Sequence, residues 1–121
     1  MTRKRHTEAE PDIFDIQANF CAIFSNSNRL RILAILGKEE KTVSQIAEEL
    51  GTTLSHVSQH LRIMKDRGIV AFCKEGRESF YWITNDNFLK GSALIRKGLI
   101  ELHSKSGLAL SKSTITRKNR T

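Results

Sequence analysis

The chain is poor in the residues that staple, stop or chelate. Of its 121 residues one is proline and two are cysteines, far apart at Cys21 and Cys73. Two distant thiols do not make the disulfide framework of a small secreted domain. No apolar run approaches the length needed to cross a bilayer. The amino terminus, MTRKRHTEAEPD, carries basic residues with no apolar segment behind them, which is not a secretory pattern. A cytoplasmic protein is therefore expected. The groupings that catalysis needs are missing too: no nucleophile beside a base, no phosphate-cradling glycine loop, no paired carboxylates at a plausible site. Glu39-Glu40 and Glu48-Glu49 read as solvated turn and helix charges. Neither an enzyme nor a cofactor is expected.

Charge of one sign is also lacking where it matters. Residues 104–121 contain Lys105, Lys112, Arg117, Lys118 and Arg120 and no acid, so five of the seven net positive charges sit there. Residues 29–83 hold nine basic and seven acidic residues, nearly balanced. A basic excess suits an anionic partner, although a solvated tail explains it equally well. The hydrophobic content of 39% suits one small domain that association would help to stabilise. The expected division is a flexible tail over 1–11, a folded domain over 12–104 and a basic, disordered tail over 105–121.

Pro11-Asp12 signals the start of a helix over about Asp12 to Ser25, where Ile13, Ile16, Phe20, Ile23 and Phe24 form a broad apolar stripe. That stripe is richer than a small core needs and suggests a partner subunit. After SNSN, with Ser27 or Asn28 as the cap, RLRILAIL presents Leu30, Leu33, Ile35 and Leu36, and Gly37 stops it. KEEKT reads as a turn. Thr42 or Ser44 caps VSQIAEEL, whose Val43, Ile46, Ala47 and Leu50 share a face, and Gly51 ends it. Thr53 caps LSHVSQHLRIMKDR, ended by Gly68. At ~100° per residue Val57, Leu61 and Met64 fall together with Leu54 beside them, while Ser55, Gln59 and Arg62 lie opposite and His56 and Ser58 flank them. From Gly68 the period changes: IVAFCKEGRESFYWI reads as two strands around Glu75-Gly76. A last helix follows over about Asn87 to Ser104, with Phe88, Ile95, Leu99 and Leu102 as its stripe.

The fold class is thus mainly α with a small β-hairpin, in the order helix, helix, helix, helix, hairpin, helix. Two short helices around a glycine turn, followed by a hairpin, make a winged helix-turn-helix. Short polar side chains on the second helix can approach base edges in the major groove. Arg62 and Lys65 can reach phosphates, and Arg77 at the hairpin tip can enter the adjacent groove.

Residues 18–83 resemble the ArsR/SmtB family of transcriptional repressors. The matching stretches are NSNRLRILAIL, SQIAEELG, LSHVSQHLRIMKDRGIV and the wing KEGRESFYWI. Where that family has Asp-Pro before its second helix, this chain has Asn26-Ser27. The resemblance implies a homodimer joined through its first and last helices, binding a pseudo-palindromic DNA operator. It puts Ser55, His56, Ser58 and Gln59 at the bases, and Thr53, Arg62, Lys65 and Arg77 complete the expected DNA-binding set. The expected dimer interface is Ile13, Ile16, Phe20, Phe88, Ile95, Leu99 and Leu102. His60 matches a family histidine, but beside Val57 and Leu61 it reads as packing or bracing.

The family's metal sites are not expected. Relatives that sense thiophilic metals carry Cys-Val-Cys where this chain has Thr42 and Ser44, and hydroxyls are poor ligands for soft metals. The second family site, in the last helix, would start at Asp86, but Phe88, Leu99 and Leu102 occupy its other positions. His56 and His60 are spaced i, i+4, a chelating interval, yet the DNA-facing reading is preferred. His103 stands alone. Cys21 and Cys73 are the candidate redox residues; neither matches the cysteine positions of thiol-sensing relatives, and structural burial is the default for each. An arsenite site would need thiols shared across a dimer. The effector is thus open: an unknown small molecule, or none. The rival class is a winged helix used for protein contacts.

Overall fold

In a computed structural model the structure describes residues 10–107 and Leu110. The expected tails 1–11 and 105–121 therefore lie almost wholly outside the described residues. The order is α1 (Ile13–Cys21), a 3₁₀ turn (Ala22–Ser25), α2 (Ser27–Leu36), β1 (Lys41–Thr42), α3 (Val43–Leu50), α4 (Leu54–Asp66), β2 (Val70–Glu75), β3 (Glu78–Ile83) and α5 (Asp86–Lys105).

The first helix is shorter than its stripe suggests. Asp12 caps it, its side chain accepting from the Phe14 amide. At Cys21 the helix gives way to the 3₁₀ turn, where Phe24 leaves helical geometry (φ −91°, ψ 18°). The cause lies just downstream. Asn26, not Ser27 or Asn28, caps α2, and a cap needs an extended backbone; its Oδ1 accepts from the amides of Asn28 (2.9 Å) and Arg29 (3.1 Å). Ser27 and Asn28 sit inside the first turn and accept from the Arg31 guanidinium instead.

KEEKT is not only a turn. Lys41 and Thr42 form a short strand paired with Tyr81 and Phe80, so the hairpin belongs to a three-stranded antiparallel sheet in the order β1-β3-β2. Thr42 also begins α3 with a reciprocal capping box. Its hydroxyl accepts from the Gln45 amide (3.1 Å) and the Gln45 side chain accepts from the Thr42 amide (2.9 Å). Gly51 closes α3 at φ +79°, a conformation that favours glycine, and Thr53 caps α4 by accepting from the His56 amide. The end of α4 is tied to the wing base: the Thr84 hydroxyl donates to the Gly68 carbonyl (2.7 Å), and its amide donates to the Ile69 carbonyl.

One core joins α2, α3, α4 and the start of β2. Ile32, Leu33, Leu36, Ile46, Val57, Leu61, Met64 and Ile69 are all fully buried, each contributing roughly 1.5–3 kcal/mol by leaving water. Ile32 is a core residue that the stripe reading did not include, and Leu30 is only half-buried. Leu54 does not join the seam of Val57, Leu61 and Met64. It is 54% exposed and borders the groove between the start of α3 and the wing. Among the described residues no helix is long and apolar enough to cross a membrane.

Candidate nucleic-acid interface

The outer face of α4 is built by its inner face. Val57, His60, Leu61 and Met64 are buried against the core, which fixes the rotation of the helix and turns Ser55, Ser58, Gln59 and Arg62 outward. All four are exposed. Thr53, expected among the DNA contacts, is exposed too, with its hydroxyl holding the helix start. The N-terminal half of α4 thus offers short, hydrogen-bonding side chains free of apolar neighbours other than Leu54, and its C-terminal half adds Ile63.

The wing stands beside this face. β2 and β3 pair from Val70↔Ile83 to Glu75↔Glu78, leaving Gly76-Arg77 as the two-residue turn, one position later than the sequence suggests. Gly76 has φ +66° while Arg77 keeps a negative φ, the pattern of a II′ hairpin with glycine first. Arg77 is exposed at the tip. A shallow groove runs from it past Ser79 and Ser44 to Leu54 and Ser58, so the wing tip and the first turns of α4 border one channel. Lys65, at the far end of α4, lies 5.6 Å above the Phe72 ring of the wing and 3.6 Å from Asp66. Phe72 in turn stacks on Tyr81 at 5.4 Å.

His56 and His60 behave differently from the exposed set. Their Nε2 atoms are 3.1 Å apart, and His56 Nδ1 is 3.0 Å from the Thr52 hydroxyl. His56 is half-buried, with both ring nitrogens engaged within the protein; a base contact through either would have to displace a bond. His60 is buried, as a bracing residue should be. Burial first, then the neighbouring His56 and Arg29, hold its pKa below the ordinary 6.5. Thr52 and Arg29 were not visible as parts of this cluster in the sequence. The T-x-x-x-H-x-x-x-H spacing was the available signal, since helix residues four apart face one another.

The cysteines depart from expectation. Neither is buried: Cys21 and Cys73 are both exposed free thiols, because each occupies the outward side of its element. Among the described residues no three His, Cys, Asp or Glu side chains come together as a metal-holding group. Thr42 is consumed by its capping box. His103 Nδ1–H donates to the Leu99 carbonyl at 2.9 Å.

The expected interface residues divide. Ile13, Ile16, Ile95, Leu99 and Leu102 are exposed in the single chain, Ile13 at 63% and Ile95 at 67%. Phe20 and Phe88 are half-buried and pack on each other with ring centroids 4.6 Å apart, joining α1 to α5 within one chain. Phe14, 74% exposed, and Leu94 and Ile100 add to the uncovered apolar surface and were not anticipated.

A helix pair closed by a glycine turn, a hairpin wing beside its second helix, and a polar outward face on that helix define a winged helix-turn-helix transcriptional regulator, a DNA-binding class. Residues 26–71, from the cap of α2 to the first two residues of β2, match the family model described as bacterial regulatory protein, arsR family. The chain belongs to that family. It is 32% identical over 87 residues to the nodulation protein NolR of Rhizobium meliloti, covering 72% of this chain and 67% of NolR. It is 35% identical over 74 residues to a helix-turn-helix-type transcriptional regulator of Methanocaldococcus jannaschii, covering 60% of this chain and 83% of the relative. Among solved structures it is similar to the homodimeric winged helix-turn-helix DNA-binding domain Mb0332 of Mycobacterium bovis. There the TM-score is 0.67 at 28% identity, over 84% of this chain and 88% of that one.

Proposed function

We propose that the chain is a dimeric repressor that reads a two-fold DNA site through α4 and acts by binding rather than by catalysis. The observation that carries this reading is the rotation of α4: its buried seam leaves Ser55, Ser58 and Gln59 outward, bordered by the groove that leads to Arg77. Ser55, Ser58 and Gln59 supply donors and acceptors for base edges, Gln59 being the side chain suited to a bidentate contact with adenine. Arg62, Lys65 and Arg77 supply charge for phosphates, and the basic segment 105–121 adds to it. The exposed residues of α1 and α5 meet a second copy, as the homodimeric Mycobacterium bovis relative supports. The folded unit that does this spans 12–104.

The test begins by selecting duplexes from a random-sequence pool with the full chain, then measuring Gln59→Ala on the selected duplex and on a scrambled one. A base contact is worth about 1–3 kcal/mol, so the selected duplex should be bound roughly 5- to 150-fold more weakly while the scrambled one is unaffected. Equal losses on both duplexes would remove base reading by Gln59.

A further inference from the structure

Among the described residues two buried side-chain nitrogens find no hydrogen-bond partner, and they belong to the same cluster: His60 Nδ1 and Arg29 Nε. His60 is 8% exposed, sits on the inner side of α4, and is bonded to His56, which is bonded to Thr52 at the turn before the helix. Three residues at four-residue intervals therefore form one chain from the turn into the core, passing beneath Ser55 and Gln59.

Proton bookkeeping makes this chain intolerant of acid. Two neutral imidazoles carry two ring protons between four nitrogens. In one arrangement His60 Nε2–H donates to His56 Nε2, His56 Nδ1–H donates to the Thr52 hydroxyl, and His60 Nδ1 keeps a bare lone pair. The reverse arrangement would leave a buried N–H without an acceptor at His60 Nδ1, a costlier defect than an unpaired lone pair. A proton from solvent can then add only at His60 Nδ1. That would leave a buried N–H at His60 Nδ1 with no acceptor, whether the charge rests on His60 or crosses the Nε2–Nε2 bond to the half-buried His56, and no carboxylate is hydrogen-bonded or ion-paired to either ring among the described residues. From α2 the Arg29 guanidinium faces that charge with the same sign. A second proton would put N–H groups at both Nε2 atoms, 3.1 Å apart, and break their bond outright.

We propose that Thr52, His56 and His60 form a proton-sensitive latch that holds the N-terminal half of α4 in its DNA-reading geometry and lets go under acid. This regulation rests on the DNA reading proposed above. The direction follows from linkage. His60 is held below its ordinary 6.5, so the folded cluster binds fewer protons than the unfolded chain; its stabilising effect is complete above that value and is lost as pH falls through the lowered one. Acid should cost sequence preference first, since phosphate attraction does not weaken as positive charge is added.

The experiment measures the affinity ratio of the selected to the scrambled duplex at fixed salt, at about pH 7.5 and about pH 5.5. For the unaltered chain the ratio should fall several-fold, up to the roughly tenfold that one proton with an ordinary value of 6.5 can supply over this interval, and His60→Gln, which can still donate to His56 but does not titrate, should hold it within about twofold. His103→Gln should keep the full drop. A flat ratio in the unaltered chain, or parallel falls in it and in His60→Gln, would overturn the latch. No preference for the selected duplex even at the higher pH would instead defeat the DNA reading, and the regulation with it. Ring-nitrogen NMR of the free, unaltered chain reads the latch without DNA or variants. His60 should titrate below 6.5 and lose its bond to His56 at the same midpoint; titration at or above 6.5, or a bond that survives the titration, would refute it.

Discussion

Thr42, only 6% exposed, has two duties: its backbone pairs with Phe80 in the sheet and its hydroxyl starts α3. At the position where the family resemblance leads one to look for a metal-binding thiol, the reciprocal box with Gln45 gives Thr42 a folding role. Thr42→Val keeps the shape and the β propensity but removes the acceptor for the Gln45 amide. It should cost about 1 kcal/mol, within the usual range for a lost cap, read as a lower denaturant midpoint at unchanged slope. The sequence offered Thr42 or Ser44 as the cap, and the glutamine three residues after Thr42, a local pattern, is the signal that could have decided between them. The histidine pair was legible only as a spacing. Four residues along a helix brings two rings within reach, but whether they turn inward or outward depends on what packs behind them, and Arg29 arrives there from another helix.

At the level of elements, what the sequence made plain was periodicity. The helices from α2 to α5 and the two wing strands were all foreseen within a residue or two, since each repeats its pattern over several turns or alternations. β1 has two residues and no period, so only its partner across the sheet defines it. The break after Cys21 is likewise set by a neighbour, the extended cap at Asn26. The wing turn shows how far local chemistry goes. Gly76 has open space around a would-be Cβ, so size does not select glycine there; φ +66° does. Gly76→Ala should therefore destabilise the hairpin by about 1–2 kcal/mol, the cost of left-handed backbone for an L-residue. Thermal or urea unfolding would register it, and an unchanged midpoint would show that the turn relaxes into another form.

For the whole molecule the decisive quantity is uncovered apolar surface. The core is complete within one chain, yet Ile13, Phe14, Ile16, Leu94, Ile95, Leu99, Ile100 and Leu102 remain largely in water on the two helices at the chain's ends. Ile95, Leu99 and Leu102 share one side of α5 with Phe88, and the Phe20–Phe88 contact joins α1 to α5 into one platform, the kind of apolar patch that marks an interaction site. A second copy related by a two-fold axis would cover platform with platform, and would also set two α4 helices to face successive major grooves about 34–36 Å apart. If so, folding and association are linked by mass action, and the melting temperature should rise with protein concentration. Leu99→Asp changes a residue that is 50% exposed and outside the core, so each chain should still fold, while the charge placed in a dry interface should drive the dimer apart. Light scattering would then report a monomer, and the concentration dependence of melting would vanish. Affinity for the selected duplex should fall to that of a scrambled one, because a single α4 reaches only half of a two-fold site. Should Leu99→Asp remain dimeric and keep its preference, the two copies must meet elsewhere, and the exposed face of α5 would serve a different partner.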